Sequence, residues 1–160
     1  MQLDETLEYA AGPDTVFAML CDASWRERVC ELAYAQSYDV SVEPDGDAAT
    51  ITVERVMPAE VPDAVKAFLG KTVEIQQVER WAPPLADGTR HAEVSVRIKG
   101  QPASMQGTSV LAGTDTSTLR VTGDVRVKVP FVGRKIEPEV AKAIAAALRI
   151  EETAAADYLA

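Results

Sequence analysis

The hydrophobic and polar positions change period several times along the chain, and each change marks an element. Residues 2–10, QLDETLEYA, alternate, which puts Leu3, Leu7 and Tyr9 on one face of a half-buried strand. In GPDTVFAML, Pro13 stands near a helix start, and Val16, Phe17 and Leu20 recur at helical spacing. WRERVCELAYA reads as a second short helix, capped by Ser24 with Glu27 as its capping-box partner. From residue 36 the period is two. SYDVSVE and ATITVERV flank PDGD, a hairpin signal because Asp-Gly tolerates the positive φ that such turns require. MPAEVPDAVKAFLG interrupts the strands, and Pro62 opens one or two helical turns ending at Gly70. Strands resume in TVEIQQVERWA, RHAEVSVRIK, ASMQGTSVLAG and STLRVTGDVRVKV. Strands joined in succession by short turns predict an antiparallel sheet rather than βαβ units.

The last strand separates its faces. Leu119, Val121, Val125, Val127 and Val129 point one way, and Arg120, Thr122, Asp124, Arg126 and Lys128 the other. Gly123 interrupts the row, which predicts a bulge or bend there. VPFVG then turns the chain: Pro130 ends the ladder, Gly133 frees the backbone, and a helix runs from about Arg134 to Leu159. Pro138 is expected in its first turn, where a missing N–H costs nothing. Ile136, Val140, Ile144 and Leu148, with Ala143 and Ala147, form its apolar stripe. Residues this slim can cross a concave sheet without filling it.

Composition narrows the field of functions. The 160 residues make one ordinary domain, 1–160, and 47% hydrophobic with 26% charged residues excludes a disordered chain. A net charge of −9 argues against nucleic acid and against docking on anionic membranes. The local cluster Arg126, Lys128, Arg134 and Lys135 reads as a solvated strand face and helix start. The acidic, alternating N-terminus does not resemble a secretory signal, and the longest apolar run, AIAAAL, is too short to span a bilayer, so no stable membrane insertion is expected. Cys21 and Cys30 read as small buried thiols in a reducing cytoplasm.

Little in the chain carries reactive chemistry. His91, the single histidine, begins a strand beside a turn and reads as a surface residue. No catalytic triad, metal-ligand spacing or phosphate loop appears, so neither cofactor nor metal is expected. Strand parity does place polar or aromatic residues on apolar faces: Tyr9 with Leu7, Tyr38 before Val40, Arg55 with Ile51 and Val53, and Gln77 and Trp81 after Val73 and Ile75. An inward Arg55 requires an anionic partner and would suit the carboxylate or enolate of a ligand. The plainer reading puts it at a strand end, snorkelling to water or pairing with Glu54 or Glu79. The aromatics read first as core or rim residues.

The order strand, two short helices, antiparallel strands and one long helix resembles the helix-grip fold of the START or Bet v 1-like (SRPBCC) superfamily. AAGPDTVFAMLCD, WRERV and VPFVGRKIEPEVAKAIAAAL carry the resemblance, and their wording is most similar to an uncharacterised, mostly actinobacterial family within it. The resemblance implies an α+β fold: a curved antiparallel sheet of about six or seven strands wrapped around the C-terminal helix, with two short helices after the first strand. It also implies a cavity between sheet and helix. Tyr9, Tyr38, Arg55, Gln77 and Trp81 would line it with Val140, Ile144 and Leu148, while Met57, Phe68 and Met105 border an entrance under a lid formed by MPAEVPDAVKAFLG. The implied function is to bind a small hydrophobic ligand, a lipid or polyketide-like molecule, without catalysis. An aromatase or cyclase is the alternative, and a protein-interaction module with a filled core a second one. Oligomeric state is left open.

Overall fold

The computed structural model describes residues 1–59 and 61–160, apart from the side chain of Phe68. Seven strands form a single antiparallel sheet: β1 (Gln2–Tyr9), β2 (Ser37–Asp45), β3 (Ala48–Pro58), β4 (Thr72–Trp81), β5 (Arg90–Ile98), β6 (Ala103–Gly113) and β7 (Ser117–Val127). Their spatial order is β1-β7-β6-β5-β4-β3-β2. Strands two to seven are a meander, and the first strand returns to pair with the last. Helices α1 (Pro13–Leu20) and α2 (Ala23–Leu32) therefore carry the chain from one edge of the sheet to the other. Helix α3 (Asp63–Leu69) lies between β3 and β4, and α4 (Gly133–Leu159) closes the chain.

The alternation along each strand decides which face is covered. Leu119, Val121, Val125 and Val127 of β7 are buried with Leu3 and Leu7 of β1, and α4 packs on that side through Ile136, Val140 and Leu148. Polar contacts hold α4 beside the β1 edge. Arg149 Nη1 donates to the Thr6 carbonyl at 3.1 Å and Arg149 Nη2 to Glu5 at 2.7 Å, while the Glu8 N–H donates to Glu152 at 2.7 Å. At its far end the Tyr158 hydroxyl donates to Asp22 Oδ2 at 2.8 Å, joining α4 to the start of α2. The helix is thus fixed over β1 and β7, and the sheet from β3 to β6 curves past it.

Four local expectations change. Asp22, not Ser24, caps α2: its Oδ1 accepts from the Ser24 N–H at 2.9 Å and the Trp25 N–H at 3.4 Å, and a carboxylate at a helix N-terminus also meets the positive end of the helix dipole. Gly123 makes no bulge, for the β6–β7 and β1–β7 registers pass through it unbroken. Its role is space, since a Cβ there would lie 3.0 Å from the Met105 side chain. At the VPFVG corner the positive φ falls on Phe131, at 70°, and that side chain is 99% exposed. Gly133 serves close approach instead, because a Cβ would come within 2.1 Å of the Val127 carbonyl oxygen. Finally, α4 begins at Gly133, so Pro138 falls in the second turn and offers no N–H to the Arg134 carbonyl.

Candidate functional site

Between the sheet and α4 lies a cavity of about 280 Å³. Its walls come from β3 to β7 on one side and from Ala143, Ile144, Ala147 and Leu148 of α4 on the other. Fixing α4 over β1 and β7 leaves its alanines facing the middle strands, where a larger side chain would fill the gap. Met57, Ala59, Val61 and Leu69, from the end of β3 and the α3 segment, line one end. Along the paired strands β3 and β4 the lining then changes character, from Met57 and Val73 through Arg55 and Ile75 to Gln77 and Glu79. The cavity is apolar at the α3 end and polar within.

The polar end is a buried network drawn from four elements. Arg26 of α2 forms a fork with Glu79 of β4: Nη1 donates to Oε1 and Nη2 to Oε2, both at 2.9 Å. Arg26 Nε donates to the Leu20 carbonyl at 2.8 Å. Glu79 accepts two more bonds, from Gln77 Nε2 at 2.7 Å and Trp81 Nε1 at 2.9 Å. Four bonds saturate a carboxylate. Burial alone would raise the Glu79 pKa, but Arg26 and these donors hold it below the usual carboxylate range. Arg26 in turn is pulled down by burial and pushed higher by Glu79 and Glu151, so it stays charged.

Glu151 of α4 faces the same guanidinium differently. Its Oε1 stands 3.8 Å from Arg26 Nη1, beyond a hydrogen bond. Burial raises its pKa, the charge of Glu79 raises it further, and Arg26 and Arg55 only partly offset this. Tyr9 of β1 is buried beside the pair. Burial and the negative charge of Glu151 push its phenol well above the ordinary range, and its hydroxyl finds no hydrogen-bond partner among the described residues.

Arg55 and Gln77 line the cavity as strand parity placed them, on one face of the sheet. Arg55 is only 8% exposed and pairs with neither Glu54 nor Glu79, so the snorkelling and ion-pair readings do not describe it. Its Nη2 donates to Gln77 Oε1 at 3.4 Å, its guanidinium also reaches the Cys30 thiol, and its Nε has no partner among the described residues. Met57, Met105, Val140, Ile144 and Leu148 also border the cavity. Three candidates lie elsewhere. Tyr9 sits behind the network, and Trp81 packs on Phe17 with its ring nitrogen committed to Glu79. Tyr38, 37% exposed on the edge strand β2, donates its hydroxyl to Glu31 at 2.9 Å. No described residue of β2 lines the cavity. The Phe68 side chain lies outside the described residues. His91 is exposed, and no cluster of His, Cys, Asp and Glu among the described residues has the makings of a metal site.

Sequence reasoning missed Arg26, Glu79 and Glu151. The signal for Glu79 was present: it stands between Gln77 and Trp81 on the face that parity turns inward. Glu151 likewise continues the stripe from Ile144 and Leu148 towards Ala155.

This arrangement, a curved seven-stranded antiparallel sheet gripping a long C-terminal helix over a cavity, is the helix-grip fold of START and Bet v 1-like proteins. Within it the chain belongs to the family described as protein of unknown function (DUF2505), whose model matches residues 4–159. Uncharacterized protein Rv0481c of Mycobacterium tuberculosis is 25% identical over 161 residues, covering 93% of this chain and 91% of that protein. Among solved structures, TTHA0849 from Thermus thermophilus is 14% identical, superposes with a TM-score of 0.65 and covers all of both chains. The human StarD13 lipid transfer and protein localization domain is 12% identical, with a TM-score of 0.58 over 96% of this chain and 76% of that one.

Proposed function

We propose that this chain is a cytoplasmic, single-domain binding protein for a small hydrophobic molecule, lipid-like or polyketide-like, held between the sheet and α4. One observation carries the reading: a cavity of about 280 Å³ whose walls are aliphatic over most of their length. Apolar pockets with a few convergent polar groups are the usual form of a small-molecule site. The StarD13 domain, described as a lipid transfer domain, shares the fold and gives the class a precedent. Both cysteines are unpaired, which suits a reducing compartment. No helix among the described residues is long and apolar enough to cross a membrane. The excess of acidic residues argues against a nucleic-acid partner.

Titration with N-phenyl-1-naphthylamine, a neutral probe that fluoresces in apolar surroundings, tests the reading. Saturable binding at one site per chain is expected, together with an extracted small molecule in native mass spectra of protein purified gently from its host. A protein that binds no probe and carries no extractable ligand is not a carrier. It would then be the interaction module, although an open cavity argues against the filled core that reading needs.

The aromatase or cyclase reading gains one specific support. Two polar groups, Arg55 and the raised carboxyl of Glu151, converge on the cavity, as acid catalysis on an enolisable substrate requires. Turnover of a poly-β-keto thioester that survives in the wild type and is lost in Glu151→Gln would establish it. Equal rates in both would remove it.

A further inference from the structure

Arg55 is a buried cation that the protein does not pair. Of its five N–H groups one reaches an oxygen among the described residues, at a long 3.4 Å, and the only other side-chain partner is the weakly accepting Cys30 thiol. Of the two buried carboxylates, Glu79 already accepts four bonds and is neutralised by Arg26, and Glu151, which feels the charge of Arg55, makes no ion pair with it. Gln77 is committed as well, its nitrogen to Glu79 and its oxygen to Arg55. The Cys30 thiol beside Arg55 is pushed up by burial, more than Arg55 offsets, so it offers no negative charge. An ionised group taken out of water without a partner is costly, and guanidinium does not escape by losing its proton. The arginine nevertheless lines the cavity.

We propose that Arg55 is the anchor for the head group of the ligand, and that the ligand is an amphiphilic monocarboxylic acid whose apolar body lies toward α3. The inference rests on the carrier reading and names its ligand class. Geometry sets the orientation, because the lining is polar around Arg55, Gln77 and Glu151 and apolar at Met57, Val61 and Leu69. Charge selects the head group. Arg26 and Glu79 cancel, and Arg55 stands in no ion pair of its own, which leaves its single positive charge facing the cavity. A carboxylate matches that single charge. A phosphate, with a charge near −2, would bring excess negative charge beside Glu79 and Glu151. No bond is made or broken.

The test is displacement of N-phenyl-1-naphthylamine from the full chain by dodecanoic acid and by 1-dodecanol, which differ only in the head group. The wild type is expected to prefer the acid by about tenfold or more, the yield of one charge-assisted hydrogen bond to a buried cation. Arg55→Gln should bring the acid down to the affinity of the alcohol while the alcohol and the probe keep theirs. Arg55→Lys, which restores the charge without the fork, should recover part of the preference. A wild type that binds the alcohol as well as the acid overturns the proposal without recourse to any variant, as does an acid preference that survives in Arg55→Gln. Each of those results leaves probe binding, and the carrier reading, in place. Failure of the wild type to bind the probe overturns both.

Discussion

Two arginines lie buried within one polar network, and they are not equivalent. Arg26, on α2, gives three hydrogen bonds and stands in a fork with a carboxylate that is itself saturated. Arg55, on β3, gives one long bond to an amide oxygen and a weak one to the Cys30 thiol, and leaves its Nε unpartnered. Burial is alike for both; what differs is the accounting of donors and acceptors. A guanidinium whose bonds are complete joins α2 to the sheet and serves the fold. One whose bonds are incomplete, on the wall of a cavity, is complete only in company. The comparison separates structural charge from recognition charge by counting bonds rather than by position.

Removing a partner from the satisfied pair should produce the largest effect in the molecule. Glu79→Leu leaves Arg26 buried without its anion and strands the donors of Gln77 and Trp81, and breaking a buried pair from one side costs about 3–5 kcal/mol. Arg26→Met combined with Glu79→Leu should recover most of that loss in urea unfolding, because no charge is left alone. Arg55→Met is the contrast. It removes a cation that has paid desolvation for two weak bonds, so the unliganded protein should hold its stability within about 1 kcal/mol or gain some. An Arg55→Met variant as unstable as Glu79→Leu would mean that the two arginines are equivalent after all.

The same contrast explains how far the amino-acid sequence reveals the site. Period and turn chemistry were enough for the order of strands, the hairpins and the closing helix, because each depends on neighbours a few residues away. Strand parity was also enough to turn Arg55 and Gln77 inward. It applies equally to Glu79, yet a lone glutamate in an alternating row reads as solvent-facing, since burial is tolerable only with a partner. That partner is 53 residues away on α2. Arg26 is just as ambiguous, following Trp25 and preceding Val29 on a helix whose buried side is set only when the sheet is present. Parity shows which way a side chain points and not what it meets. For the same reason parity could turn Trp81 inward without showing that its ring packs on Phe17 and its nitrogen serves Glu79, or that Tyr38 on the edge strand meets Glu31.

A second pair of residues sharpens the first. Glu79 and Glu151 face one guanidinium, and their proton equilibria move in opposite directions from the ordinary carboxylate value of 4.5. For Glu79 the folded value is lowered, so its contribution is present above the ordinary value and lost as pH falls through the folded one. For Glu151 it is raised: the native state holds a proton that the unfolded chain has released. Its contribution is therefore full below 4.5 and declines as pH rises through the folded value. Glu151→Gln keeps the shape and removes the titration while Arg26, Arg55, Glu79 and Tyr9 still face the position. The variant should gain stability on the wild type as pH climbs above 4.5, by about 1.4 kcal/mol for each unit of displacement. Thermal unfolding of both proteins across that range reads the difference. A gap that stays constant with pH would mean that Glu151 is ionised throughout, and that it is the hidden partner of Arg55.

The smallest effect concerns the wall opposite the arginines. Ala143 and Ala147 border the cavity from a helix tied down near its start, where Glu137 accepts from the Val127 N–H, and at its far end by Tyr158, so a larger side chain there has to enter the open volume. Ala147→Leu adds three carbons, which should bury apolar surface and change stability by about +1 kcal/mol or less. Were the space already filled by its neighbours, the same leucine would overpack the core and cost about 1–3 kcal/mol. The sign of the change in urea unfolding thus reports whether the space is there. Probe titration on the same variant reports what it is for: a leucine that stabilises the fold while weakening the probe occupies the place of the ligand. Arg55 would then stand buried beside a blocked cavity, and the acid preference should vanish with the volume, although its charge is untouched.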